Sequence, residues 1–186
     1  MSRLEVITGP MFSGKTEELI RRLHRAEIAG RRIKLFRPAI DTRYEKGFVT
    51  AHSGNKLVAH EVSSSYEIWD LVTYEGADVI GIDEAQFLDS ELEAYIKSMF
   101  FYVSKIIISG LDKDFATQNF GSMPRLMVLA DKWDKLTSVC NKCGADDASF
   151  TQRLVDGKPA AFDGPTILVG GTETYEARCR DCFQAG

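Results

Sequence analysis

Apolar residues fall along the chain in short unbroken runs, separated by longer stretches with helical spacing. Residues 3–8 (RLEVIT), 33–36 (IKLF), 78–83 (DVIGID) and 105–110 (KIIISG) are rich in aliphatic and β-branched side chains, the pattern of strands buried on both faces. Between the first two, Leu19, Ile20, Leu23 and Ala26 recur at three- and four-residue steps, which predicts a helix over 15–30 stopped at Gly30. Pro38 ends the second strand. Residues 57–62 (LVAHEV) predict a strand and 66–73 a short helix. Asp89 or Ser90 is expected to cap a helix running to about Val103, and 122–131 is expected to be helical. The polar stretch 41–56, with two glycines, is expected to be a mobile loop. Strands alternating with helices predict an α/β fold, a parallel sheet with helices on both faces. After about residue 135 glycines, paired cysteines and short β-like runs take over. The expected division is an α/β domain at 1–135 and a small lobe at 136–186.

Size and charge narrow the function. A chain of 186 residues fits one domain, or one domain with a small appendage, and can bury a core. With 44% hydrophobic and 27% charged residues it has the composition of a folded soluble protein. A net charge of −4 speaks against the broad basic face that duplex binding requires, so no nucleic-acid partner is expected. It leaves room for a small anion in a local pocket. No run approaches the ~20 apolar residues of a membrane span, so no membrane partner is expected either. The opening residues are too briefly apolar for a secretory signal. A cytoplasmic location is expected, and there paired cysteines point to metal before disulfides.

The candidate chemistry begins at Gly9-Pro10-Met11-Phe12-Ser13-Gly14-Lys15-Thr16, which fits the phosphate loop of nucleoside-triphosphate-binding proteins. Glycines let the backbone wrap a phosphate, with N–H groups aimed inward at the positive end of a helix. Lys15 would reach the outer phosphates and the Thr16 hydroxyl would ligate Mg²⁺. Such a loop needs an acid at the end of a neighbouring strand to hold Mg²⁺ or its water, and Asp83 follows VIGI at that place. Glu84 then lies beside the reacting phosphate. With a hydroxyl as acceptor its carboxylate takes the proton; with water as acceptor the same group makes an ATPase.

All four cysteines form two CxxC pairs, Cys140 with Cys143 and Cys179 with Cys182. Two such turns complete a closed tetrahedral site of four thiolates, which suits a structural Zn²⁺. Zinc there would tie the ends of the 35 residues 144–178 into a closed loop and lower the entropy cost of ordering it. That loop carries TILVGGTETY, with backbone groups near Gly170 and Gly171, and Tyr175.

GPMFSGKT, DTRY, DEAQF, GLD after an apolar strand, a TxRL stretch and two CxxC pairs occur here in that order. In this the chain resembles the zinc-containing type II thymidine kinases, over nearly its whole length. The resemblance implies a phosphate-loop α/β fold with a zinc lobe carrying a lasso-like loop, and ATP-dependent phosphorylation of the 5′-hydroxyl of thymidine. It implies Glu84 as general base, ATP on Gly9–Thr16 and on the run Asp83, Glu84, Ala85 and Gln86, and Asp41 and Arg43 near Mg²⁺ and the transferring phosphate. It places Met11, Leu111, Phe115, Phe120 and Thr151 around the nucleoside. Backbone groups of Thr166, Ile167, Leu168, Val169 and Gly170 are placed on the base, with Tyr175 as the lasso tyrosine. A homotetramer or dimer is implied, and a regulatory tail beyond Cys182 is expected to be absent. Backbone groups that pair with thymine mismatch cytosine, at about 1–3 kcal/mol for each buried polar group left unpaired. Deoxyuridine lacks only a methyl, worth about 1–3 kcal/mol, and is expected to be accepted.

The remaining residues take plainer readings. His24 and the run RRLHR (21–25) are expected on an exposed helix face; His52 and His60 lack metal spacing. Trp69 and Trp133 are expected to pack, and Phe100, Phe101 and Tyr102 to belong to the core or a subunit contact. A zinc-ribbon ATPase motor would need a basic surface. A zinc-dependent binding module would leave Glu84 and the closed loop without a task.

Overall fold

The structure, a computed structural model, describes residues 2–41, 47–50, 54–166 and 174–186. In chain order its elements are β1 (Arg3–Thr8), α1 (Lys15–Ile28), β2 (Ile33–Pro38), β3 (Phe48–Thr50), β4 (Lys56–Val58), β5 (His60–Val62), α2 (Ser65–Glu75), β6 (Val79–Ile82), a 3-10 turn (Ala85–Phe87), α3 (Leu92–Met99), β7 (Lys105–Gly110), α4 (Met123–Leu129), β8 (Lys132–Lys135), β9 (Phe150–Val155), β10 (Lys158–Pro159) and β11 (Thr174–Arg178). The four apolar runs supply the middle of a parallel sheet ordered β5-β2-β6-β7-β1-β8. The period-two geometry of a strand sends alternate residues to opposite faces. Leu4 and Val6 of β1, with Ile106 and Ile108 of β7, meet Ile68, Leu92, Ile96 and Leu126 of α2, α3 and α4. Ile7 and Ile107 face the other way, onto Leu19, Ile20 and Leu23 of α1. At Gly81 a Cβ would come within 2.6 Å of Leu23, so glycine lets α1 settle close to the sheet.

Several details depart from the sequence reading. The run 57–62 is two strands in two sheets: β4 folds back on β3, while β5 joins the main sheet beside β2. The crossing is made at Ala59, which is buried and donates its N–H to Gly47 O at 3.0 Å. β3 itself lies within the stretch expected to be loop. β8, at the sheet edge beside β1, has no apolar run to announce it. Helix α3 ends at Met99 and not near Val103. At its start Asp89 accepts from Glu91 N at 3.0 Å and also from Ser65 N at 2.7 Å, tying α2 to α3.

The basic run on α1 is not uniformly exposed. Arg22 has a side chain only 9% exposed and pairs with Glu5, Glu18 and Asp134 at 2.7–2.8 Å. His24 does lie in solvent, against Glu27. Trp69 packs on the core, whereas Trp133 is half exposed and donates to Thr8 Oγ1 at 2.8 Å. Phe100 packs on the core, but Phe101 and Tyr102 are exposed.

Beyond β8 a three-stranded antiparallel sheet, β10-β9-β11, has its own small cluster of Cys140, Ala148, Ala177 and Cys179. Among the described residues no helix is long and apolar enough to cross a membrane.

Candidate active site

The loop between β1 and α1 starts where no side chain fits. A Cβ on Gly9 would stand 2.6 Å from Leu136 O. Phe12 (φ 65°) and Gly14 (φ 80°) take the backbone through the left-handed region on either side of Ser13. Ser13 Oγ donates to Pro10 O at 2.8 Å, and Gly14 O accepts from Glu18 N to begin the helix. Lys15, buried, reaches back across its loop to Pro10 O at 2.7 Å. Loop curvature, lysine and helix N-terminus converge as anion binding requires.

Thr16 and Asp83 meet as expected: Thr16 Oγ1 donates to Asp83 Oδ2 at 3.0 Å, and Ser109 Oγ donates to the other oxygen. Burial, and next the charge of Glu84, push the Asp83 carboxyl up to about 6 against the hydrogen bonds of Ser109 and Thr16. A buried acid held this way gains from a cation. The Thr16 hydroxyl and Asp83 oxygens are the hard oxygen donors that Mg²⁺ prefers, so the residues fit that ion.

Glu84 is buried and left-handed, at φ 49° and ψ 41°. For a non-glycine residue this costs on the order of 1 kcal/mol, the kind of local strain found at functional sites. Its neighbour Ala85 is fully buried at the start of the 3-10 turn. Gln86 turns its amide onto Glu84 Oε2 at 2.5 Å and accepts Leu111 N–H at 3.0 Å. Asp41 is buried, and its carbonyl accepts from Arg37 Nη1 at 3.0 Å.

Leu111, Phe115 and Phe120 are all buried in the segment after β7. Asp114 shapes that segment by accepting from Ala116 N and Gln118 N, both at 2.9 Å. Phe120 stands edge-on to Phe87, with ring centres 5.5 Å apart. Phe115 lies under the Arg153 guanidinium, 4.9 Å from its ring centre.

The small lobe closes directly onto the phosphate loop. Thr151 Oγ1 accepts Met11 N–H at 3.0 Å, and Ser138 Oγ donates to Phe12 O at 3.1 Å. Two residues along β9, Arg153 donates to Pro165 O at 2.7 Å, just before exposed Thr166. Tyr175 stands opposite Arg153 in the β9–β11 register. Arg43, His52 and the lasso residues Ile167, Leu168, Val169 and Gly170 lie outside the described residues.

The four cysteines converge. Their sulfurs all lie within 4.8 Å of one another, and Cys143 Sγ is 3.7 Å from Cys179 Sγ. Four sulfurs about 2.3 Å from a tetrahedral zinc would be about 3.8 Å apart, whereas a disulfide needs about 2.0 Å. The cluster therefore fits zinc. Although burial raises it, backbone hydrogen bonds from Cys179, Cys143 and Lys142 draw the Cys140 thiol down to about 6. Hydrogen bonding to Cys179, then Cys143, pushes Cys182 up to about 12.

A groove of about 450 Å³ lies elsewhere, at the starting edge of the sheet, among Arg21, Arg22, Arg25, Arg31, Lys105 and Lys132. Most of its cations are already paired, with Glu5, Glu18 and Asp134. It also abuts the carboxyl end of α1, which favours cations on structural grounds. It is an ion-pair network and not a second anion site.

The sequence reading did not single out Ser109, Asp114 or Arg153. Arg153 sits in the TxRL stretch, the one signal that pointed toward it.

A solved chain described as a crystal structure of DNA replication initiation factor is similar at 13% identity and a TM-score of 0.42, over 73% of this chain. This chain spans 40% of that one's length, and the likeness is too slight to bear on the site. The thymidine kinase family model matches residues 2–183, and the chain belongs to the thymidine kinase family.

Proposed function

We propose that the protein transfers the γ-phosphoryl group of Mg²⁺-ATP to the 5′-hydroxyl of thymidine, giving dTMP for nucleotide salvage, with Glu84 as general base. The observation that carries this reading is the buried, strained Glu84, set beside Asp83 and the phosphate loop. Phosphoryl transfer is mostly positioning and charge stabilisation. Gly9–Thr16 cradle the phosphates, and Thr16 and Asp83 hold Mg²⁺, which screens charge on the phosphoryl oxygens. Asp41 and Arg43 act on that side, and Lys15 leaves Pro10 O for the phosphates when nucleotide arrives. Ala85 and Gln86 line the nucleotide side.

The nucleoside lies where the phosphate loop meets the lobe, among Met11, Leu111, Phe115, Phe120, Thr151 and Tyr175. Backbone groups over 166–170 read the base. Deoxyuridine is a second substrate. Residues 1–135 and 136–186 act as separate units, the second ordered by zinc. The protein works in the cytoplasm as a homotetramer or dimer.

The test is turnover with ATP, Mg²⁺ and each nucleoside in turn, reading nucleoside monophosphate. Thymidine is expected to be phosphorylated, with cytidine and purine nucleosides inert. Phosphate release indifferent to nucleosides would instead make the protein an ATPase. Glu84→Gln is expected to retain both substrates and lose about 10²–10⁴-fold in turnover, the usual range for a general base.

A further inference from the structure

The carboxylate of Glu84 is aimed by a neighbour. Gln86 is 3% exposed, and its side chain bridges two fixed groups. The N–H of Leu111 can only donate, so the amide oxygen must face it, and it does so at 3.0 Å. The amide NH₂ is thereby committed to the other side, where it meets Glu84 Oε2 at 2.5 Å.

The surroundings allow little other placement. A Cβ at Gly110 would stand 2.6 Å from Gln86 Oε1 and 2.8 Å from Met123 Sδ, so glycine makes room for the amide there. A Cβ at Gly121 (φ 54°) would stand 2.4 Å from Gln86 O, so the Gln86 backbone is pressed close as well. The 3-10 turn over Ala85–Phe87 carries Gln86 round to face the residue two positions before it. The strained backbone of Glu84 is the start of that same turn.

We infer that Gln86 is the positioning residue of the reaction: its amide, anchored on Leu111 N–H, holds the Glu84 carboxylate in one rotamer, the one from which it takes the proton of the acceptor hydroxyl. The inference rests on Glu84 being the base. It gives Gln86 a task through Glu84, beyond lining the nucleotide side. A carboxylate free to swing would spend much of its time out of line, and a small misplacement of a reacting group is enough to slow turnover by about a hundredfold. Binding of either substrate does not need the bridge, so the loss belongs in kcat and not in KM.

The experiment is a double-mutant cycle on the zinc-loaded, full-length protein. Gln86→Leu removes both ends of the bridge. Gln86→Glu keeps an acceptor for Leu111 N–H, which spares the fold, but replaces the donor to Glu84 with a second carboxylate. Each is made alone and together with Glu84→Gln. The expected result is a loss of about 30-fold or more in kcat for both single variants, with both KM values within about threefold of wild type. In the Glu84→Gln background either change is expected to cost less than about threefold further, because the group it positions is gone. A melting curve accompanies each variant, and if Gln86→Leu fails to fold, Gln86→Glu decides alone.

Near-normal kcat in Gln86→Glu would overturn the inference. So would an equal loss in both backgrounds, the signature of a merely structural tie. Near-normal turnover in Glu84→Gln alone would instead overturn the base assignment on which the inference stands.

Discussion

The parallel sheet and the cysteine lobe meet at the Met11–Thr151 hydrogen bond, and they are held together by different means. The sheet has an apolar layer on each face, with Leu4, Leu19, Ile80, Leu92 and Ile108 fully buried. The lobe has two alanines and two cysteines in its central cluster. Backbone ladders along β9 and side-chain contacts within the lobe and at the seam add to this. Lys113 Nζ stands 3.8 Å from the centre of the Phe150 ring, and Phe183 stacks on Phe150 with ring centres 4.7 Å apart. Gln152 exchanges hydrogen bonds with the backbone of Gln184, tying the last residues to β9. The sheet can supply the phosphate loop, Asp83 and Glu84 from its own packing. The lobe carries Thr151, Arg153 and Tyr175 on two strands whose far end holds the four cysteines, and the proposed zinc would fasten that end.

The contrast is broken most severely at a cysteine. Cys179→Ser leaves three thiolates, and the metal content is expected to fall from about one zinc per chain to well below that. Structural zinc supplies folding free energy outright, so β9 and β11 are expected to lose hydrogen-exchange protection while β1, β6 and β7 keep theirs. Uniform loss of protection across both regions would show that the two are not separately held.

A smaller effect sharpens the sheet side. Arg22→Met removes the cation that Glu5, Glu18 and Asp134 share, leaving them with their more exposed partners Lys105, Arg21 and Lys132. Removing one member of a buried pair costs several kcal/mol, and partial exposure of these partners reduces that to about 2 kcal/mol. For a chain of this size the midpoint should fall by about 4–8 °C. The KM for thymidine should not move, since the network lies at the starting edge of the sheet.

The smallest effect is a pH dependence on the same helix. Hydrogen bonds from Arg21, and then Arg22, draw Glu18 down to about 2 from an ordinary 4.5, with burial opposing them. A carboxyl lowered in the folded state adds stability above its unfolded value and loses it as pH falls through the folded one. Glu18→Gln should therefore cost about 0.5–1 kcal/mol near neutrality, the cost shrinking below about pH 4.5 and vanishing near pH 2. A difference from wild type that persists unchanged at pH 2 would mean the ion pairs are not its source.

How much was legible in the sequence follows the same divide. Runs such as KIIISG declare a strand because burial on both faces demands apolar residues throughout. KWDK, which forms β8, declares nothing: it lies at the sheet edge, three of its four residues are charged, and only pairing with β1 makes it a strand. LVAHEV looked continuous because no residue in it breaks a strand, and the division at Ala59 depends on partners from two sheets. Arg22 looked solvated because its three carboxylates come from positions as distant as Asp134. In the site, the phosphate loop, Asp83–Glu84 and the cysteines carry local spacing and could be read directly. Gln86 could be placed beside the site, but the turn that brings its amide back onto Glu84 is a property of the folded backbone.

The division of labour between sheet and lobe is tested most directly by titrating zinc-stripped protein with an ATP analogue plus Mg²⁺, and separately with thymidine, in a calorimeter. The expected result is nucleotide affinity within about threefold of the zinc-loaded protein and thymidine affinity lost by more than about tenfold, restored when zinc is returned. Thymidine binding that survives removal of the metal unchanged would contradict a nucleoside site assembled from both regions.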